Sequence, residues 1–193
     1  MQRFISWACN ATSVFLGLIF FSSGMGKLYA GHAFPGIIGP VWLEEVLVQY
    51  GLGLLGQFIG WSQVVTGFLL LTLRFRLAGA VMLVPMLANI LIVTISLHWQ
   101  GTPWIVGCLL GFNIALLWAD RTLLLPLLTR VPAPVAGLVP PYREAGHLVW
   151  VTGLMLVLSS VLVSVFSREL AWGLCLVGLG MAWCARLADR LAA

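Results

Sequence analysis

Charged residues are scarce in this chain, which carries ten lysines and arginines and six aspartates and glutamates among 193 residues. Charged side chains make up 8% of the sequence, whereas 61% of the residues are hydrophobic. A water-soluble domain of this size has a much larger charged fraction and fewer apolar side chains. The shortage of charge therefore excludes an ordinary soluble fold and indicates an integral membrane protein.

Catalytic sequence motifs are also missing. The chain has no G-x-S-x-G or H-E-x-x-H pattern, no phosphate-binding loop and no aspartate inside an apolar run. These absences argue against hydrolytic catalysis, and the sequence predicts no metal site and no nucleic-acid partner.

The four cysteines lack the C-x-x-C spacing of a thiol-relay enzyme. They are Cys9, Cys108, Cys175 and Cys184, and all lie in apolar runs. We expect buried, inert thiols. A disulfide between Cys108 and Cys175, both near one predicted membrane surface, is the alternative.

Long hydrophobic runs are what the sequence has in abundance. Six windows, at residues 4–30, 51–73, 77–97, 103–119, 148–165 and 170–185, approach the roughly 20 residues that a helix needs to cross a bilayer. The runs are continuous and do not alternate, so they predict transmembrane helices and not barrel strands. The first run is too long for a signal peptide, and Lys27 stands where a small cleavage-site residue is expected, so we interpret it as an uncleaved anchor.

Basic residues fall mostly on one side of these predicted spans. If the N-terminus is cytoplasmic, only Lys27 and Arg168 lie on the outer side, and the other eight basic residues lie inside. The positive-inside rule therefore predicts that both termini are cytoplasmic.

A proline-rich segment interrupts the apolar pattern between Ala119 and His147, with five prolines and three arginines. It predicts three parts: a four-helix transmembrane bundle at 1–121, a cytoplasmic linker at 122–147 and a C-terminal helix pair at 148–193.

Polar residues inside the runs mark candidate functional positions, because lipid cannot hydrogen-bond them. In the first run, Ser13, Gly17, Phe20, Gly24 and Lys27 follow helical steps of three and four, which places the lysine on a glycine-lined face.

Two further runs carry a polar residue on a predicted packing face. Gln63 follows a G-x-x-x-G pair made by Gly56 and Gly60, and Asn89 shares a predicted stripe with Met82. Asn113 lies off the glycine face of the fourth run, so we rank it lower.

These positions suggest an outward-facing pocket between the first three helices. Its candidate ligand-binding residues are Lys27, Gln63, Asn89, Ser23, Phe20 and Trp61. The alternatives stay open: Lys27 snorkels to the surface or pairs with Glu44 or Glu45, and the two amides form ordinary interhelical hydrogen bonds.

Several stretches resemble the DoxX-like family of small bacterial and archaeal membrane proteins. They are "FLGLIFFSSGMGKL", "GWSQVVTGFLLL", "TLRFRLAG" and "NIALLWADR", and the resemblance covers residues 14–121. It implies a four-helix bundle in the cytoplasmic membrane, with the last two helices as an addition. In one branch such proteins are membrane subunits of quinone-linked redox systems, and another branch accompanies thiol redox systems in the cell envelope.

The family's S-G-x-x-K stretch corresponds here to Ser23, Gly24 and Lys27, and its second-helix polar position, often glutamate, corresponds to Gln63. Glutamine cannot carry a proton, so the resemblance does not extend to proton transfer at that position. It implies a quinone-associated redox subunit that receives electrons from a partner protein, since the chain has no redox cofactor motif of its own. A non-enzymatic partner of an envelope protein or transporter is the alternative.

Overall fold

The computed structural model describes residues 2–38, 48–128 and 144–191, and these ranges contain helices and no strands. A one-turn 3₁₀ helix, Ala30–His32, follows the first α-helix. The α-helices of the described residues are α1 (Gln2–Leu28), α2 (Gly53–Thr72), α3 (Arg76–Ser96), α4 (Thr102–Ala119), α5 (Arg121–Leu128), α6 (Glu144–Val163) and α7 (Arg168–Leu191).

Six of these helices have the length and apolar composition of a membrane span. The candidate spans are Arg3–Leu28, Gly53–Thr72, Arg76–Ser96, Thr102–Ala119, Glu144–Val163 and Arg168–Asp189. The largest differences from the predicted runs, four residues each, are at Glu144, predicted at 148, and at Asp189, predicted at 185. The predicted all-helical, multi-pass membrane architecture is therefore confirmed.

The chain forms two compact units, and α1 and α2 contribute residues to both. The first unit comprises Met1–Phe21 and Gln63–Pro132, and the second comprises Ser22–Ser62 and Ala133–Ala193. The predicted linker at 122–147 falls largely outside the described residues, and the predicted three-part division stays a prediction.

Glycines allow α1 and α2 to touch through their backbones in the first unit. A Cβ atom on Gly67 would collide with the backbone of Phe21, and one on Gly17 would lie 2.6 Å from the amide nitrogen of Leu71. The hydroxyl of Ser13 donates to the carbonyl of Leu70 at 2.9 Å, also across this contact. Small residues therefore hold these helices at close range, as is typical of membrane interfaces.

A three-residue turn joins α2 to α3. Leu73, with φ 58°, reverses the chain, and α3 begins at Arg76. The side-chain amide of Asn113 on α4 then donates to the carbonyl of Ala80 on α3 at 2.9 Å.

The second unit contains the pair α6 and α7, which pack through small residues. A Cβ atom on Gly178 would lie 2.6 Å from the carbonyl oxygen of Gly153, so neither position has room for a side chain. The backbones of α6 and α7 therefore pack directly against each other at this crossing.

Candidate functional site

An ion pair in the first unit joins Arg76 to Asp120. The Nε of Arg76 donates to Oδ2 of Asp120 at 2.9 Å, and its Nη2 donates to Oδ1 at 2.5 Å. The side chains are 22% and 11% exposed, so the pair is largely shielded from solvent. Two parallel charge-assisted bonds fix the orientation of both groups.

Short connections position both partners. Arg76 is the first residue of α3, and Asp120 lies between α4 and α5. The backbone amide of Leu123 donates to the carbonyl of Asp120 at 2.9 Å, which starts α5 directly after the acid. The charged pair therefore lies where the helices of the first unit end.

A third polar residue completes this cluster from α1. The Nη1 of Arg76 donates to Oδ1 of Asn10 at 2.7 Å. A guanidinium carries five N–H hydrogens, and three of them are used by Asp120 and Asn10. Two N–H hydrogens of Arg76 thus remain without a partner among the described residues.

A cavity of about 290 Å³ opens beside this cluster. Its lining residues are Ile5, Ser6, Cys9, Arg76, Ala119 and Asp120. The wall combines apolar side chains with a hydroxyl, a thiol and the ion pair of Arg76 and Asp120. Such a mixture suits a small ligand group that has hydrogen-bond acceptors on an apolar frame.

The second unit contains a separate buried polar network around Tyr29. The phenol oxygen lies 2.9 Å from Oγ of Ser160 and 3.1 Å from the carbonyl oxygen of Ala171. Tyr29 and Ser160 are 2% and 0% exposed, and burial raises the pKa of Tyr29 to about 12.

Further contacts anchor the same region. The backbone amide of Ala30 donates to Oγ of Ser164 at 3.1 Å, and Phe34 stacks on Trp172 with ring centroids 4.5 Å apart. The end of α1 is therefore fastened to α6 and α7 by polar and aromatic contacts, and this network has a structural role.

Two of the predicted site residues come together in the second unit. The ammonium of Lys27 donates to Oγ of Ser23 at 2.8 Å and to the Ser23 carbonyl at 3.3 Å. Trp61 is half-buried in the same unit. Glu44 and Glu45, the predicted ion-pair partners of Lys27, lie outside the described residues.

The remaining predicted site residues belong to the first unit. Phe20 and Gln63 are buried, with 4% and 3% exposure. Asn89 is exposed, so the prediction that it points inward is wrong.

The physical reason for that error is visible on α3, where the packing stripe consists of the buried residues Ala80, Leu83, Leu87 and Thr94. Almost all of α3 is apolar, so the sequence period did not distinguish the packed face from the outer one. Asn113, which we ranked lower, is instead fully buried.

The cysteines also differ from expectation. Cys175 is buried, but Cys108 and Cys184 are exposed and Cys9 is half-buried, and all four are free thiols. Apolar runs include faces that contact lipid, so lying in such a run does not imply burial within the protein.

Sequence reasoning missed the cluster of Asn10, Arg76 and Asp120. One signal was present, because the positive-inside rule placed Arg76 and Asp120 at the same membrane surface, where Asp120 is one of few acids among many basic residues. Their separation of 44 residues nevertheless hid the pairing.

Comparison of the chain with protein-family models, curated proteins and solved structures gives no match. The resemblance to the DoxX-like family therefore stays a prediction.

Proposed function

We propose that this protein is a quinone-associated subunit of a membrane redox system, and that it holds the quinone head in the cavity beside Arg76. The observation that carries the proposal is a fixed guanidinium at the wall of a partly apolar cavity, with two N–H hydrogens that have no partner among the described residues. The outward-facing pocket suggested by the sequence is a separate site and stays a prediction.

The chemistry of the wall fits such a head group. A quinone ring is flat and apolar and carries carbonyl oxygens, which accept hydrogen bonds from a guanidinium. Asp120 and Asn10 hold Arg76 in one orientation. Binding of a quinone therefore costs little further conformational entropy of the arginine side chain. Ile5 and Ala119 supply apolar contact.

The size of the cavity suits the head and not the whole molecule. At about 290 Å³ it lies at the lower limit of ligand pockets, which run from roughly 300 to 1,000 Å³. We infer that an isoprenoid tail extends into lipid along the apolar helices. A bound quinone supplies two-electron redox chemistry, and a partner protein supplies the electrons.

The side of the membrane at which the quinone head binds follows from the distribution of basic residues. The positive-inside rule puts Arg76 and both termini on the cytoplasmic side of a bacterial or archaeal membrane. Under this proposal the quinone head binds near the inner surface, where a cytoplasmic or membrane-bound electron donor reaches it.

The test compares two tryptophan substitutions on the same helix. Ser6→Trp fills the cavity, whereas Ala11→Trp adds the same ring at an exposed position of α1 that does not line it. Protein purified from membranes in mild detergent is extracted with organic solvent, and quinone is quantified by mass spectrometry. We expect wild type and Ala11→Trp to retain quinone and Ser6→Trp to lose most of it.

Equal retention in all three proteins would contradict the site, and absence of quinone from the wild type would contradict the function. Copurification of a stoichiometric membrane protein without any quinone would favour the alternative, a non-enzymatic assembly partner.

A further inference from the structure

On α3, the exposed residues Met82, Pro85 and Asn89 follow helical steps of three and four and form a stripe. Asn89 is the polar member of this stripe, and it lies far from both helix ends. Asn89 lies 13 residues after Arg76 and 7 before Ser96, the bounds of the span, which corresponds to about 20 Å and 10 Å along the helix axis. Its neighbours on the stripe, Met82 and Pro85, are exposed and apolar. The carboxamide therefore lies at the depth of the lipid hydrocarbon.

Asn89 has no hydrogen-bond partner among the described residues, and its side chain is exposed. An amide facing hydrocarbon without a partner is unfavourable, because lipid offers neither donors nor acceptors. Polar residues in spans accordingly face other protein or a water-filled cavity. Met82 and Pro85, the neighbours of Asn89 on the stripe, are apolar and do not suit the wall of a water-filled cavity. We therefore take another protein surface as the cover of Asn89.

A second polar group lies on the same stripe. Pro85 has no amide hydrogen, so the carbonyl of Val81 lacks its usual α-helical donor, and Val81 is 43% exposed. The stripe therefore carries a carbonyl that lacks its usual α-helical donor, about two turns from a side chain that both donates and accepts.

We propose that α3 forms a homodimer contact, in which Asn89 of one copy hydrogen-bonds Asn89 of a second copy. Two copies inserted in the same orientation are related by a two-fold axis along the membrane normal, and a residue that lies close to this axis is near its own counterpart. A carboxamide is complementary to itself, since its NH₂ donates to the other oxygen and its oxygen accepts in return. A lysine or a carboxylate at this position would repel its counterpart, so the residue type itself favours a second copy. This contact is independent of the quinone proposal.

The first experiment measures association in bilayers. Fluorescently labelled protein is reconstituted at decreasing protein-to-lipid ratios, and energy transfer between copies is recorded. Asn89→Leu removes the amide and keeps a lipid-compatible surface, and we expect the dimer dissociation constant to rise about fivefold to thirtyfold, the range for interhelical polar contacts in membranes. Asn89→Gln keeps a self-complementary amide and is expected to retain most of the association.

The second experiment maps the contact by oxidative cross-linking. Asn89→Cys is introduced after the four native cysteines are replaced by alanine, and Ile114→Cys, at an exposed position of α4, is the matched control. We expect cross-linked dimers for Asn89→Cys and few for Ile114→Cys.

Three results would overturn the proposal: a wild-type protein that is monomeric at every dilution, a dimer with equal affinity in Asn89→Leu, and cross-linking that is equal at both positions. Loss of a different copurifying protein in Asn89→Leu, with no homodimer, would show that the occupant is not a second copy.

Discussion

The guanidinium of Arg76 binds both carboxylate oxygens of Asp120, at 2.9 Å and 2.5 Å, across 44 residues of sequence. The same guanidinium reaches Asn10, so one side chain connects the beginnings of α1 and α3 with the end of α4. Arg76 and Asp120 also line the cavity next to this connection.

Neutralising the acid tests how far the pair stabilises the first unit. Asp120→Asn leaves Arg76 with a weaker, neutral acceptor, and we expect the free energy of unfolding to fall by about 1.5–3 kcal/mol, the value of a hydrogen bond to a charged group. Unfolding in mixed detergent measures it. Glu169→Gln is the control, because Glu169 is exposed and forms no ion pair with the described residues; it should cost less than about 1 kcal/mol. An equal loss of unfolding free energy in the two variants would show that the pair of Arg76 and Asp120 does not stabilise the first unit.

The glycine contact between α1 and α2 predicts a sharp difference between two alanine substitutions in the first unit. In Gly67→Ala the new methyl group meets the backbone of Phe21, whereas at Gly111 nothing lies within 4 Å. We expect Gly67→Ala to lower the free energy of unfolding by at least about 1–3 kcal/mol, the usual cost of overpacking. Gly111→Ala should be neutral or stabilising, since alanine favours a helix over glycine by about 1 kcal/mol. The unfolding free energy of both variants is measured in detergent. A Gly67→Ala protein as stable as wild type would contradict the close approach of α1 and α2.

The Tyr29 network predicts a coupled pair of substitutions in the second unit. Tyr29→Phe removes the hydroxyl that contacts Ser160 and the carbonyl of Ala171. Ser160 keeps its hydrogen bond to the carbonyl of Val157, so we expect the free energy of unfolding to fall by about 0.5–1.5 kcal/mol, the net value of a lost hydrogen bond. In a double-mutant cycle with Ser160→Ala we expect the two effects to be less than additive by about 0.5–1.5 kcal/mol. Strict additivity would mean that the hydroxyls do not interact.

Alkaline pH should weaken the same network. Burial raises the pKa of Tyr29 from 10.0 to about 12. The folded state therefore holds the phenol proton more tightly than the unfolded chain does, so the stability is fully present below pH 10 and is lost as the pH rises towards 12. Thermal unfolding in detergent between pH 8 and 12 should show this loss in wild type and a smaller one in Tyr29→Phe. Identical pH profiles of the two proteins would contradict the assignment.

The sequence predicted the spans well because hydrophobic length is a local property. It could not tell which face of a span packs, since α3 is apolar on the face of Leu83 as well as on the face of Met82. This is why Asn89 and Asn113 were ranked in the wrong order. Steps of three and four did identify Gly17, since glycine is a specific signal of close helix contact.

Contacts between distant residues were beyond reach of the sequence. Arg76 with Asp120 and Tyr29 with Ser160 are separated by 44 and 131 residues, and no local pattern joins them. The candidate site therefore became visible only when the fold placed a basic helix start beside an acidic helix end.

Thiol footprinting tests the quinone site most directly. Cys9 lines the cavity, whereas Cys108 is exposed in the same unit and does not line it. The first variant keeps Cys9 and has Cys108 and Cys184 replaced by alanine. The second variant keeps Cys108 and has Cys9 and Cys184 replaced by alanine. The buried Cys175 is retained in both. Each is reacted with a membrane-permeant maleimide, with and without a short-chain quinone whose ring is fully substituted and cannot add thiols. We expect the quinone to slow the labelling of Cys9 several-fold and to leave the labelling of Cys108 unchanged. Unprotected Cys9, or equal protection of both thiols, would contradict it.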